Sequence, residues 1–161
     1  MKRLSIVSLL LVIVLNIFAW GQKGHRIIAQ LAYDNLDCKA RKHVDKVLGK
    51  HGMIYLSTWP DEIKSDTIYL TSFTCDYQDL PGGMTDSAVI ATLTNYPEEG
   101  GDLFMALDSL ETVLMRNPNS HDALVFYVHM MADRFCPMHL AHLDDKGGNG
   151  VKMKWFGSNT N

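Results

Sequence analysis

Residues 126–149, FYVHMMADRFCPMHLAHLDDKGGN, set His129, Asp133 and His139 within eleven residues, ahead of an acidic, glycine-rich turn. His129 and Asp133 are four apart, so on a helix they share one face, about 6 Å apart along the axis. His139 follows two residues after Pro137, where a helix should be ending. Imidazole and carboxylate converging in this way are the ligand types that zinc favours, so metal-assisted chemistry is the first reading. The competing reading of His129 is a buried helix histidine whose hydrogen bonds are met by its neighbours.

Three other groups carry ligand types. Trp20-Gly21-Gln22-Lys23-Gly24-His25 follows an apolar leader; cleavage before Trp20 would give it a free amine and carbonyl beside His25. The bland account is a packed tryptophan and a capping histidine. Trp59-Pro60-Asp61-Glu62-Ile63-Lys64 places two acids in a first helical turn, where acids are usually dipole partners. Phe73-Thr74-Cys75-Asp76-Tyr77-Gln78-Asp79 surrounds an aromatic residue with two carboxylates, and a solvated loop accounts for it equally well.

The elements that must position these residues read as mostly helical. Ile27, Ile28, Leu31, Ala32 and Leu36 recur at helical spacing over residues 22–36, and Val44, Val47 and Leu48 over 39–49, with Gly49 as the stop. Ser57 or Thr58 is expected to cap a short helix with Pro60 in its first turn. Leu103, Ala106, Leu107, Leu110, Val113 and Leu114 form one stripe over 103–115; Asn117-Pro118 breaks it. Asn119 or Ser120 then caps a helix over about 121–135 that carries His129 and Asp133. Residues 67–84 read as irregular and 151–156 as strand-like. Convincing alternating strands are absent, so the fold expected is one mainly α domain.

The chain has 161 residues, 47% hydrophobic and 20% charged, which suffices for one domain with a real core. A net charge of −3 excludes a large basic surface but leaves a nucleic-acid substrate open, because bound cations can supply positive charge. Lys2 and Arg3 precede an apolar run from Leu4 to Phe18 that ends at Ala19, the layout of a signal peptide; the run is short for a membrane anchor. The expected organisation is a signal peptide over 1–19 and one domain over 20–161, secreted or periplasmic, with no stable membrane insertion after cleavage. Cys38, Cys75 and Cys136 include no CxxC pair, and all three read as small buried apolar residues. The segment from Lys146 to Asn161 shows no closing helix, and the end reads as a cut rather than a finish.

Taken together, WGQKGH after a signal peptide, WPDEIK, HxxxD with a histidine six residues on, and DKGGN resemble the S1/P1 nuclease family of the phospholipase C/P1 nuclease superfamily. The resemblance runs from Trp20 to Asn161. It implies a phospholipase C/P1 nuclease-like helical domain, incomplete at its C-terminus, and a secreted zinc-dependent endonuclease that cleaves single-stranded DNA or RNA to 5′-phosphorylated products. The family's cluster holds three zinc ions, and two have a sufficient set of ligands in this chain. By the resemblance, Trp20 and His25 serve one zinc and Asp61 and His129 a second. Asp133 bridges these two, and His139 serves the third. Asp61 would orient or deprotonate the attacking water. Tyr77 would stack on a base, Asp79 would bond its edge, Lys64 would contact phosphate, and Asn149 would line the cleft.

Two departures from the family pattern matter. Asp76 stands fifteen residues after Asp61, where the family has a histidine for the second zinc. The family also continues with an Asn-Leu-His-x-x-Trp-Asp segment that completes the third zinc, and the chain reaches Asn161 about where that segment begins. The expectation is metal binding with impaired turnover. A zinc phospholipase C and an inactive metal-binding fragment are the alternatives. Reading the coding DNA beyond Asn161 is the direct check: a Leu-His continuation restores the enzyme, and a natural stop codon supports the inactive fragment.

Overall fold

Asp37 caps the second described helix: its Oδ1 accepts the backbone N–H groups of Lys39 and Ala40, both at 2.8 Å. Gly49 ends the same helix at φ 81°, a conformation that favours glycine, which confirms it as the stop. The computed structural model describes residues 21–69, 75–95, 103–140, 142–145 and 150–160. Within them the protein is mainly α. The helices are α1 (Gln22–Asn35), α2 (Cys38–Leu48), α3 (Gly52–Leu56), α4 (Trp59–Glu62), α5 (Asp86–Asn95), α6 (Leu103–Arg116) and α7 (His121–Arg134). Two 3-10 turns, Pro137–Leu140 and Leu143–Asp145, follow α7. A small antiparallel hairpin of β1 (Met153–Trp155) and β2 (Ser158–Thr160), with Lys154 opposite Asn159, bears out the strand-like reading of that segment. The signal peptide, Trp20 and Asn149 lie outside the described residues.

Helix α7 is the axis of the molecule, packed by α1, α2, α3, α4 and α6. Its Val125 joins Tyr33, Leu48 and Met53 in one apolar cluster, and its Phe126 and Met130 join Leu103 and Leu107 in another. Trp59 packs against both clusters and meets Phe126 edge-on, with ring centroids 5.9 Å apart. The helix that offers His129 and Asp133 is therefore held on both sides by apolar burial, the dominant favourable term in folding.

The face of α1 differs from expectation. His25, Ala29 and Tyr33, spaced by four, are buried, while Ile27 and Leu31 are 60% and 59% exposed. Directing Ile27 and Leu31 inward would turn His25 towards solvent; the helix instead points His25 at α7 and puts the Tyr33 ring in the core. Tyr33 keeps its hydroxyl satisfied by donating to the Asp45 carboxylate at 2.9 Å. Arg41 closes the α1 C-terminus by donating to the carbonyls of Tyr33 and Asp34 at 3.1 and 2.9 Å.

Three smaller expectations are also corrected. Neither Ser57 nor Thr58 caps α4 through its side chain. Ser57 donates to the Ile54 carbonyl and Thr58 to Glu62, which satisfies each hydroxyl elsewhere. Cys38 is exposed at the start of α2, whereas Cys136 is buried as expected, and no disulfide forms among the described residues. In α6, Leu103 and Leu107 are buried but Val113 is 44% exposed. Among the described residues, no helix is long and apolar enough to cross a membrane.

Leu103 is fully buried, so Leu103→Ala should cost about 2–5 kcal/mol. Val113→Ala on the same helix should change stability by less than about 0.5 kcal/mol. Paired urea titrations check this; equal midpoint shifts would contradict the burial pattern.

Candidate metal centre

Val125, His129 and Asp133 are spaced by four along α7, so the histidine and carboxylate extend an apolar row into the interior. The His129 Nδ1 lies 2.7 Å from the backbone carbonyl oxygen of Ser57, which is fully buried between α3 and α4. A carbonyl only accepts, so Nδ1 carries the proton and the neutral ring keeps its lone pair on Nε2. That Nε2 faces Asp133 Oδ2 at 3.2 Å and Asp61 Oδ1 at 3.9 Å. A histidine tied at one nitrogen to a carbonyl, with the other directed at carboxylates, has the outer-shell support typical of a metal ligand.

His25 arrives from α1 and stacks on His129, with centroids 4.2 Å apart and planes within 9°. Its Nε2 lies 3.4 Å from Asp133 Oδ1 and 3.8 Å from Asp61 Oδ2. Asp61 enters from the first turn of α4, where Pro60 fits because the first helical N–H groups need no intrahelical partner. Helices α1, α4 and α7 thus converge here, with His25 and His129 each facing both the Asp133 and the Asp61 carboxylates.

The electrostatics fit a bound cation. Both Asp133 oxygens are buried without a hydrogen-bond partner among the described residues, as is the His129 Nε2. Burial, then the nearby Asp76 and Asp61, hold the Asp133 carboxyl well above the usual carboxylate range. Burial, then His129, pushes His25 down to about 3. Burial also lowers His129, so both rings are neutral near neutral pH. A neutral ring whose lone pair faces a buried carboxylate is costly on its own and suited to a cation placed between them. Among the described residues, two donor groups have ligand atoms within 4.8 Å of one another: His25, His129 and Asp133, and Asp61, Asp76 and His129. Imidazole with carboxylate and no thiolate suits zinc better than magnesium.

The other sequence candidates fall around this centre. His139 belongs to neither donor group. Its Nδ1 lies 2.6 Å from the Asp76 carbonyl and 3.8 Å from Asp133 Oδ1, and its buried Nε2 has no hydrogen-bond partner among the described residues. Lys64 is drawn inward, its Nζ 2.6 Å from both Asp61 Oδ1 and Asp76 Oδ2. Burial alone would weaken the Lys64 ammonium; the two carboxylates outweigh it and hold its pKa above the ordinary value. Tyr77 and Asp79 are half-buried beyond Asp76. The Asp79 carboxyl is raised by burial and then by Asp145.

Sequence reasoning missed two contributors. One is the Ser57 carbonyl, since a backbone oxygen leaves no trace in residue type. The other is Gln78, which is 1% exposed; its backbone N–H donates to the His139 carbonyl at 2.8 Å. Its side-chain amide nitrogen has no partner among the described residues. Its place between Tyr77 and Asp79 was the available signal.

A mainly α domain whose buried His–Asp cluster joins α1 to the central helix α7 defines a helical protein with a candidate divalent-metal centre. The chain belongs to the S1/P1 nuclease family, whose profile matches residues 20–161. It is 30% identical to Endonuclease 2 of Arabidopsis thaliana over 156 residues, covering 88% of this chain and 52% of that protein. With Endonuclease 5 of the same plant, the identity is 26% over 180 residues, covering 99% of this chain and 59% of the relative. Nuclease S1 of Aspergillus oryzae is 25% identical over 153 residues, covering 89% and 52%. The chain spans about half the length of the curated relatives it matches.

With both histidines already neutral and Asp133 holding its proton beyond the usual range, metal uptake should release a proton from the carboxyl and none from the rings. The sign follows: affinity rises with pH, by about tenfold per unit, while Asp133 stays protonated in the metal-free chain. Calorimetry in buffers of different ionisation enthalpy should count about one proton per first ion; a count of zero would mean that the carboxyl is already ionised.

Proposed function

We propose that this chain is part of a secreted, zinc-dependent nuclease that hydrolyses single-stranded DNA or RNA to 5′-phosphorylated products. The observation that carries the reading is the Asp133 carboxylate, buried without a hydrogen-bond partner among the described residues and faced by the Nε2 atoms of His25 and His129. His25, His129 and Asp133 are the core ligands in this reading, with Asp61 beside them and the Trp20 amine and carbonyl added after signal cleavage. His139 offers its Nε2 to a further ion. Membership of the S1/P1 nuclease family, and relatives named as endonucleases, support a phosphodiester substrate. The leader Lys2-Arg3 with the apolar run to Phe18 supports export.

A zinc ion bound here supplies Lewis-acid polarisation of the phosphoryl group and a lowered pKa for water. The residues of the chain supply position and proton handling. The Asp61 carboxylate, facing both histidines and restrained by Lys64, accepts the proton of the attacking water and orients it. The Ser57 carbonyl keeps the His129 tautomer fixed through the reaction. In this reading the Tyr77 ring stacks on an unpaired base and Asp79 bonds the base edge. A duplex keeps its bases stacked on one another, so this contact favours single strands.

The purified chain should hydrolyse single-stranded DNA and RNA at an impaired rate, lose that activity to a chelator and regain it with zinc. Asp61→Asn should lower turnover by about 100-fold or more, in line with loss of a proton-transfer group. Duplex DNA and phosphatidylcholine vesicles serve as comparison substrates. Hydrolysis that survives chelation, or a preference for the lipid, would overturn the assignment.

A further inference from the structure

We propose that the Lys64 ammonium is the resident cation of the Asp61–Asp76 pair, so that Asp76 anchors a lysine rather than a second divalent ion. The inference rests on the metal-centre reading above and deepens it. The two donor groups share His129 but differ in charge: His25, His129 and Asp133 bring one carboxylate, whereas Asp61, Asp76 and His129 bring two. The two groups also differ in what their oxygens already touch. Both Asp133 oxygens lack a hydrogen-bond partner among the described residues. Asp61 Oδ1, the oxygen that faces His129 Nε2 at 3.9 Å, takes Lys64 Nζ at 2.6 Å, and Asp76 Oδ2 takes the same nitrogen at 2.6 Å.

An ammonium on two carboxylates at this distance is a charge-assisted pair in a low-dielectric setting, where such bonds are at their strongest. The chain geometry favours it. Lys64 follows Asp61 by three residues, about one turn, so its stem reaches back to that carboxylate. Asp76 is 5% exposed; its carbonyl accepts from the His139 Nδ1–H at 2.6 Å, and its side chain is directed at Lys64. A divalent ion entering between Asp61 and Asp76 must expel the ammonium from both oxygens or sit beside it as a like charge. The extra negative charge that an aspartate brings at position 76 is thereby matched by a cation within the chain.

Zinc counting after equilibrium dialysis at a fixed free-zinc level tests this on the full chain. Lys64→Met should bind one more equivalent than the wild type, and adding Asp76→Asn to it should remove that equivalent. Asp76→Asn alone should leave the wild-type count unchanged, and Lys64→Arg, which keeps the cation, should not gain one. A lost equivalent in Asp76→Asn alone, or an unchanged count in folded Lys64→Met, overturns the proposal. The comparison of wild type with Asp76→Asn decides even where Lys64→Met fails to fold. Failure of the underlying reading looks different: His25→Ala would then retain every equivalent that the wild type binds.

Discussion

The Asp133 carboxylate is the constraint on which the rest of the structure turns. A carboxylate sealed from water with no hydrogen-bond donor is among the most expensive groups a protein can bury, and it persists only where surrounding structure and a counter-charge are both arranged for it. Here the arrangement draws in α1 through His25, α4 through Asp61, and the α3–α4 junction through the Ser57 carbonyl on His129. The apolar clusters on either side of α7 supply the stabilisation that holds these polar groups in place.

The site and the fold place opposite demands on α1. Burial of apolar area alone would favour turning Ile27 and Leu31 inward, yet both are exposed and His25 is inside. Tyr33 reconciles the two by filling the core two turns beyond His25, on the same face. Helix α7 meets a milder form of the conflict, because its polar row of His129 and Asp133 starts from Val125 and runs alongside Phe126 and Met130. One helix face can therefore carry a hydrophobic anchor at one end and chemistry at the other.

Most of the architecture was legible in the sequence. The helices over 22–35, 38–48, 103–116 and 121–134 followed from spacing, and Gly49 from its conformational freedom. His25, Asp61, His129 and Asp133 were legible as ligand types, and the structure brings them together. The phase of α1 was not legible, because spacing shows that a stripe exists and not which of two overlapping stripes faces inward when one contains a histidine. The short helix α3 was also hidden. It depends on His51 in a left-handed conformation and on Gly52, where a Cβ would come within 2.9 Å of Leu48 Cβ. The inward turn of Lys64 depends on Asp76 being folded back beside Asp61, a long-range fact that no local pattern encodes.

The distance in sequence between His25 and Asp133 has a topological meaning. They belong to the first described helix and to the central one, and a cation held by both would close a loop that takes in most of the described chain. Unlike a disulfide, which acts by constraining the unfolded chain, such an ion would stabilise the fold by binding the folded state alone. With no cysteine bridge among the described residues, an ion at the candidate centre would also be the cross-link of the fold.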